Sequence, residues 1–463
     1  MPRELHGKRL IGYTMGNFGM SLANIFGSVF LFQYYVYTIN LDSILVSIGI
    51  SSNVIVSAFC SIIFGVIVDN KRPSRFGKRR PFLLIGLPFW VLTNILIWLP
   101  PWKCPQTNSM FLPTALYFWA MTIVRSIFGT LILNVYTSML PEQSQTLKNR
   151  ELVASIRVIF MIIGSVISLF LPLLVQSLLD EPQNVKWWDP SGEVVLLFIP
   201  IIGFIFAIFG LISILLVFFS VDESFHEVDP NYEKVKFSIA NTFKHMALPA
   251  QDKKFRLLIM TDFIMSFGFF MGYLIFPFQT YILNFRQSQF FIYVLISVFG
   301  KLGWYVIWKQ VIKRKTDTQG LLNSYIISIL IGGMATFLNL FYFISISFEI
   351  KVFLYVIIFS SILGTDYALP LFTIPISASI IHKAASKIDP ENIEKSISNI
   401  SGIYYGLSGF MVSIGSAVAS LIAGFVLSGP NQSNPTIILI LFAMRGLFFI
   451  FPLIFLRKLK LND

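Results

Sequence analysis

The chain has 463 residues, 55% of them hydrophobic and 13% charged, about half the roughly 25% charged fraction of a soluble globular domain, which excludes a water-soluble fold. Its formal charge of +12 would suggest a nucleic-acid partner in a soluble protein, but the basic residues fall between apolar runs, so no nucleic acid is expected. Two cysteines, Cys60 in an apolar run and Cys104 in a loop, and the scattered His6, His226, His245 and His382 give no disulfide framework, no metal site and no catalytic centre, so no enzyme is expected.

Crossing a ~30 Å hydrocarbon core takes roughly 20 helical residues, and twelve segments reach that length: 9–38, 43–68, 81–100, 111–139, 152–179, 194–220, 255–283, 289–309, 319–346, 350–380, 401–428 and 434–456. The basic start MPRELHGKRL precedes a stretch that contains Gln33 and several tyrosines and shows no small-residue cleavage site before them. It reads as a retained first span, since a signal h-region runs only ~7–15 residues. The sequence thus predicts an all-α, multi-pass membrane protein.

An even number of spans puts both termini on one side. With that side cytoplasmic, 27 Lys and Arg fall in cytoplasmic segments against Lys103, Lys186, Arg286 and Lys351 opposite, and the positive-inside rule gives an N-in, C-in protein of the cell membrane. The polar stretch 221–254, beginning near DESFHEVDPNYEK, divides the chain into a six-helix bundle over 1–220, a cytoplasmic linker and a second bundle over 255–463. The basic loop Lys71 to Arg80 after span 2 has a counterpart at Lys309 to Lys315 after span 8, each following a glycine, Gly65 or Gly300. Two parallel repeats of this kind point to transport by rocking about a site near the midplane.

Span 2 ends in Gly65-Val-Ile-Val-Asp69, then Arg75-Phe-Gly77-Lys78-Arg79-Arg80-Pro81. Here Gly65 is expected to admit a neighbouring helix, Asp69 to pair with a cation at the helix end, and Gly77 to permit a tight loop. Span 4 ends in Asn134-Val-Tyr136-Thr-Ser-Met-Leu140-Pro141-Glu142, followed by Arg150-Glu151-Leu152, Arg157 and Gly164.

At this spacing the two motifs resemble those of the glycoside-pentoside-hexuronide:cation symporters, the melibiose permease branch of the major facilitator superfamily. The likeness extends to Phe18-Gly19 and Gln33-Tyr34-Tyr35 in span 1, the start of span 7 from Phe255, Gly415-Ser416-Ala417 in span 11, and Asn431-Gln432-Ser433 with Arg445 near the end. The resemblance implies a twelve-helix major facilitator fold with spans 1, 4, 7 and 10 around a central cavity, and a sugar carried with Na+, Li+ or H+. It also implies a cytoplasmic latch between the halves, built from Gly65, Asp69, Arg75, Gly77, Lys78, Arg79, Arg80, Glu142, Arg150 and Arg157.

The sequence departs from the family at its charged positions. The span 1 aspartate is replaced by Ser21, the two span 2 aspartates by Ser57 and Ser61, the span 4 aspartate by Leu133 and the span 11 lysine by Ser413. Hard cations take their affinity from carboxylate oxygens, so co-transported H+ is expected ahead of Na+, and no resident cofactor.

A charge at the bilayer centre costs roughly 2.5–3.5 kcal/mol, which makes the charges that remain functional candidates. Four are expected deep: Arg125 in span 4, Asp262 in span 7, Lys301 in span 8 and Asp366 in span 10. Asp262 and Asp366 are candidates for a proton-coupling site, the alternative being an aspartate paired with Lys301. Arg125 is expected to bind an anionic group of the solute or to pair with one of these aspartates.

Span 1 carries Tyr13, Asn17, Ser21, Asn24 and Ser28 on one helix face, and span 2 carries Asn53, Ser57, Ser61 and Gly65 four apart. The first stripe is expected to face the solute cavity and the second to pack. Tyr34, Tyr35 and Tyr136 are candidates to stack on a sugar ring, and Pro370 and Pro375 to kink span 10. The expected cavity set is Asn17, Ser21, Asn24, Arg125, Tyr136, Asp262 and Asp366. The chain is thus expected to be a monomeric secondary transporter in the lipid bilayer, moving a sugar or glycoside. A lysophospholipid carrier of the same fold and a non-transporting membrane sensor are the alternatives.

Overall fold

A computed structural model describes residues 4–69, 71, 76–223, 248–315, 317–388, 390–391 and 393–461. Among them no β-strand forms, and the helices are α1 Gly7–Thr38, α2 Ser43–Asp69, α3 Arg80–Leu96, α4 Leu112–Ser138, α5 Leu147–Ser177, α6 Pro190–Ser220, α7 Lys253–Ile282, α8 Gln287–Lys313, α9 Thr318–Phe343, α10 Phe348–Ile388, α11 Ile393–Val426 and α12 Pro435–Lys458. Eleven of these segments are long and apolar enough to cross a membrane; α3, at 17 residues, is shorter than the expected span 81–100. Its regular turns end at Leu96, four residues before Pro100, which has no N–H to donate to the Leu96 carbonyl.

Helix starts follow local chemistry. Prolines stand in the first turns of α3, α4, α6 and α12, where the missing N–H costs no hydrogen bond. The side chains of Thr146, Asp252, Asp317 and Asn434 accept from the first backbone N–H groups of α5, α7, α9 and α12, a satisfaction those groups need at a helix N-terminus.

The chain forms two compact units, Met1–Phe237 and Ser238–Asp463. In the first, α1 packs against α5 and α6, α2 against α4, and α3 against α4 and α6. The α1–α6 crossing is close because Gly19 meets Gly210: a Cβ on Gly19 would lie 3.0 Å from the Gly210 Cα and 2.5 Å from the Ser213 Cβ. Tyr13, Trp90 and Tyr136 fill its core. In the second unit α9 packs against α10 and α12, α7 against α11 and α12, and α10 against α8 and α11, around Trp308, Tyr325 and Phe372.

The two units share a local device at equivalent places. α1 ends in a π-helical turn, Tyr34–Thr38, and α7 in another, Phe278–Ile282. Two residues after each stands an asparagine in the left-handed region, Asn40 at φ 68° and Asn284 at φ 53°, a conformation asparagine tolerates better than most residues. Leu41 N–H donates to Tyr35 O and Phe285 N–H to Gln279 O, both at 2.9 Å. The sequence signal is Tyr37-x-x-Asn40 against Tyr281-x-x-Asn284, set inside apolar runs.

Connecting loops lie over the first of these turns. Cys104 N–H donates to Ile39 O at 3.3 Å and Trp187 N–H to Thr38 O at 2.9 Å, while Lys186 Nζ donates to Val36 O at 3.0 Å. Burial pushes the Lys186 ammonium down to about 8 and the Cys104 thiol up to about 11. α10 continues as one helix from Phe348 to Ile388 through Pro370 and Pro375, as membrane helices tolerate proline when neighbours satisfy the backbone.

Candidate functional site

Arg125 sits midway along α4. Its Nε donates to Asn94 Oδ1 of α3 at 2.9 Å and its Nη2 to Ala23 O of α1 at 3.0 Å. No carboxylate among the described residues of its unit pairs with it. Gly27 makes room: a Cβ there would stand 2.6 Å from Nη2 and 2.8 Å from Nη1. Asn24 and Ser28, next to Ala23 and Gly27, are exposed. The guanidinium is thus held by neutral oxygens beside an exposed polar edge, with Nη1 uncommitted.

The rest of the α1 stripe is spent inside the unit. Tyr13 and Tyr136 are fully buried and exchange hydroxyl-to-carbonyl hydrogen bonds of 2.7 and 3.1 Å. Asn17 accepts from Arg157 Nη2 at 3.2 Å, and the Arg157 guanidinium lies 4.6 Å from the Tyr136 ring centre. Ser21 faces α5 at Gly164. As placed, Tyr136 presents no surface to a solute, and neither do Tyr34 and Tyr35, whose hydroxyls donate to Trp98 O and Ile97 O. Burial of these rings corrects the expectation of sugar stacking: an aromatic on a span is as readily taken up by neighbouring helices.

The α2 stripe packs, as its small residues suggest. Thr122 donates to Gly49 O at 3.5 Å, Ser126 to Asn53 O at 2.7 Å, Ser57 and Thr130 share a hydrogen bond of 2.8 Å, and Ser61 donates to Asn134 Oδ1 at 3.3 Å. Each rung joins residues 73 apart, so α2 and α4 run parallel in constant register. In the second unit α8 and α10 are joined differently, by Trp304 Nε1 to Ser360 Oγ at 3.2 Å and Trp308 Nε1 to Gly364 O at 2.9 Å. Of the other positions where the family has charges, Leu133 is exposed and Ser413 donates to Gly409 O of its own helix.

The second unit holds the remaining deep charges. Asp366 on α10 accepts from Arg445 Nη2 on α12 at 2.6 Å, a partner the sequence reading did not name, and Lys301 is a further cation within electrostatic reach of Asp366. Arg445 is 2% exposed, and its guanidinium also lies 4.5 Å from the Phe449 ring centre. Sequence reasoning noted Arg445 only as a family residue and missed it as a deep charge, although an arginine within the apolar run 434–456 was the available signal. Asp262 on α7 stands apart: it makes neither a hydrogen bond nor an ion pair among the described residues, and Tyr325 is close enough to feel its charge.

The basic motif after α2 folds against the ends of α4 and α6. Gly77 is left-handed at φ 90°, and a Cβ on it would meet the Glu223 carboxylate at 2.1 Å. Buried Glu223 accepts from the backbone N–H groups of Arg79 and Arg80 at 2.9 and 3.1 Å. Arg79 also pairs with Glu142 at 3.0 Å and donates to Ser138 O, and the Arg80 guanidinium lies 4.4 Å from the Phe218 ring centre. These contacts all lie within the first unit. Glu223, at the head of the acidic stretch, was missed by the sequence reading. Gly65 is corrected: no described atom approaches its Cβ position within 4 Å. Lys78 is half-buried. Arg75, residues 224–247 of the expected linker and the side chains of Asp69 and Arg150 lie outside the described residues.

Comparison with known proteins agrees with this architecture. Residues 12–456 match the family described as MFS/sugar transport protein. An uncharacterized symporter of Synechocystis is 29% identical over 185 residues, 39% of this chain and 33% of that protein. A glucuronide carrier protein homolog of Escherichia coli K12 is 30% identical over 103 residues, 20% of this chain and 22% of that one. The chain therefore aligns with a third or less of the length of these relatives. The crystal structure of the nucleoside transporter NupG superposes with a TM-score of 0.64 at 14% identity, covering 98% of this chain and 100% of that one, a likeness of fold alone. A family match that takes in nearly every helix, on a chain with eleven apolar spans among its described residues, places this multi-pass membrane protein in the MFS/sugar transport protein family of the major facilitator superfamily, the wider group that the two sequence motifs resembled.

Proposed function

We propose that the chain is a secondary active transporter that moves a sugar or glycoside across the cell membrane by alternating access, driven by H+. In this reading it has twelve spans with α3 as the short one, both termini are cytoplasmic, and it works as a monomer. Support for a sugar comes from the description of the matched family and from the glucuronide carrier homolog.

The observation that carries proton coupling is Asp262, a carboxylate within an apolar span with no hydrogen bond or ion pair among the described residues. A carboxylate so placed is costly when charged and can exchange a proton whenever water reaches it. Asp366, already compensated by Arg445, suits that role less. Arg125 supplies an uncommitted Nη1 for an oxygen of the solute, and Asn24 can add a neutral hydrogen bond.

Purified protein in liposomes tests this reading. Labelled glycosides should exchange by counterflow, and an inward proton gradient should drive their accumulation. Asp262→Asn should abolish accumulation and leave counterflow intact. Unchanged uphill uptake in that variant would sink the coupling role, and exchange of labelled lysophospholipid in place of any sugar would replace the substrate class.

A further inference from the structure

α12 is interrupted once, by a turn at Phe451 and Pro452, before its last segment Leu453–Lys458. Along this interrupted helix the second unit carries an open groove of about 730 Å³. Its walls are Ile264 of α7, Leu330 of α9, and Leu447, Phe451 and Ile454 of α12, and Arg457 stands at one end. Leu447, Phe451 and Ile454 are each at least half exposed, which in a membrane means exposed to acyl chains.

Two features say what fills it. From Leu447 to Arg457 the helix rises about 15 Å, half of the ~30 Å hydrocarbon core, so the groove matches the acyl depth of one leaflet. Arg457 then lies in the last helical turn, where a lipid phosphate would sit. Its guanidinium is exposed and has no hydrogen bond or ion pair among the described residues, and exposed Lys458 and Lys460 follow it. We propose that this groove binds an anionic phospholipid, with an acyl chain along the apolar wall and the phosphate on Arg457. Clustered basic residues at a helix end favour anionic lipid through charge alone; the groove adds a fixed place for the chain below one of them.

Thermal unfolding of the purified full-length protein, titrated with phosphatidylglycerol or phosphatidylcholine, tests this, with native mass spectrometry counting the retained lipid. The anionic lipid should raise the midpoint about 3–5 °C more than the zwitterionic one and leave one molecule bound. Arg457→Gln should remove most of that difference, and so should Leu447→Trp, which fills the groove without touching charge. The double variant Lys458→Gln/Lys460→Gln removes more charge outside the groove and should keep most of it. Equal response to both lipids, a difference that survives Arg457→Gln and Leu447→Trp, or an equal loss in the lysine variant would overturn the proposal, the last by showing diffuse surface attraction.

Discussion

The fourth helix of each unit carries a charge in the middle of an apolar run, and the two units settle it in opposite ways. In the second, Asp366 meets Arg445 from α12 at 2.6 Å. In the first, Arg125 meets only Asn94 and the Ala23 carbonyl. The difference teaches where each charge is costly. A compensated pair ties two helices together, and losing one member strands the other. A cation on neutral oxygens strands no charge when removed, only the Asn94 and Ala23 oxygens, and while present it keeps its attraction for whatever enters.

The largest test of this contrast is on the second unit. Asp366→Asn should destabilise by about 3–5 kcal/mol, because Arg445 is left buried without its carboxylate; Arg445→Gln should cost less, since Asp366 is partly exposed and keeps Lys301 within electrostatic reach, and adding it to Asp366→Asn should recover most of the loss. Arg125→Gln should cost only about 1–2 kcal/mol, the worth of its hydrogen bonds. Thermal unfolding of the four proteins reads the result; a loss at Arg125 as large as at Asp366 would erase the distinction. Next in size, Gly77→Ala should cost about 1–3 kcal/mol, since it forces a left-handed alanine against Glu223. Gly65→Ala, with open space at its Cβ position, should cost far less, and equal losses would break the assignment of the loop contacts.

Smaller effects separate the two ways of joining helices. Ser57→Ala should lower stability by about 0.6 kcal/mol, the average for a hydrogen bond between membrane helices. Trp308→Phe should cost more, because it removes a hydrogen bond and buried volume together; the reverse order would mean that the hydroxyl rungs carry the first unit. The smallest effect is a pH slope. Lys186 titrates at about 8 when folded and near its ordinary ~10.4 when unfolded. Between those values the unfolded chain holds the extra proton, so stability should rise with pH over that window. Lys186→Met should flatten the rise, and a slope of the opposite sign would show that the loop stabilises the charged amine.

Much of this organisation was legible in the sequence. Apolar runs of span length locate eleven helices because the bilayer fixes their length, and the basic motif with Gly77 marked a tight loop that the structure contains. The four-residue spacing of Asn53, Ser57 and Ser61 announced a packed face. Partner choice was not legible. Nothing in the residues around Asp366 selects Arg445 over Lys301, since that depends on which helices meet. Tyr136 and Asn17 were read as solute contacts for the same reason: periodicity says that residues share a face, and only the neighbouring helix decides whether that face is covered. The twin π turns were hidden because an extra residue in a helical turn leaves no mark in hydrophobicity.

The constant register between α2 and α4 limits how those helices can move. Their hydrogen-bonding residues recur every fourth position on both sides, so the pair resembles two toothed racks with equal pitch. A slide of four residues, about 6 Å, would bring Ser57 level with Ser126 and Ser61 level with Thr130, and polar groups would face each other again. Any shorter slide sets hydroxyls against apolar side chains and unmakes every rung at once. The α2–α4 pair therefore either stays in step, and travels as one beam, or jumps by a whole tooth.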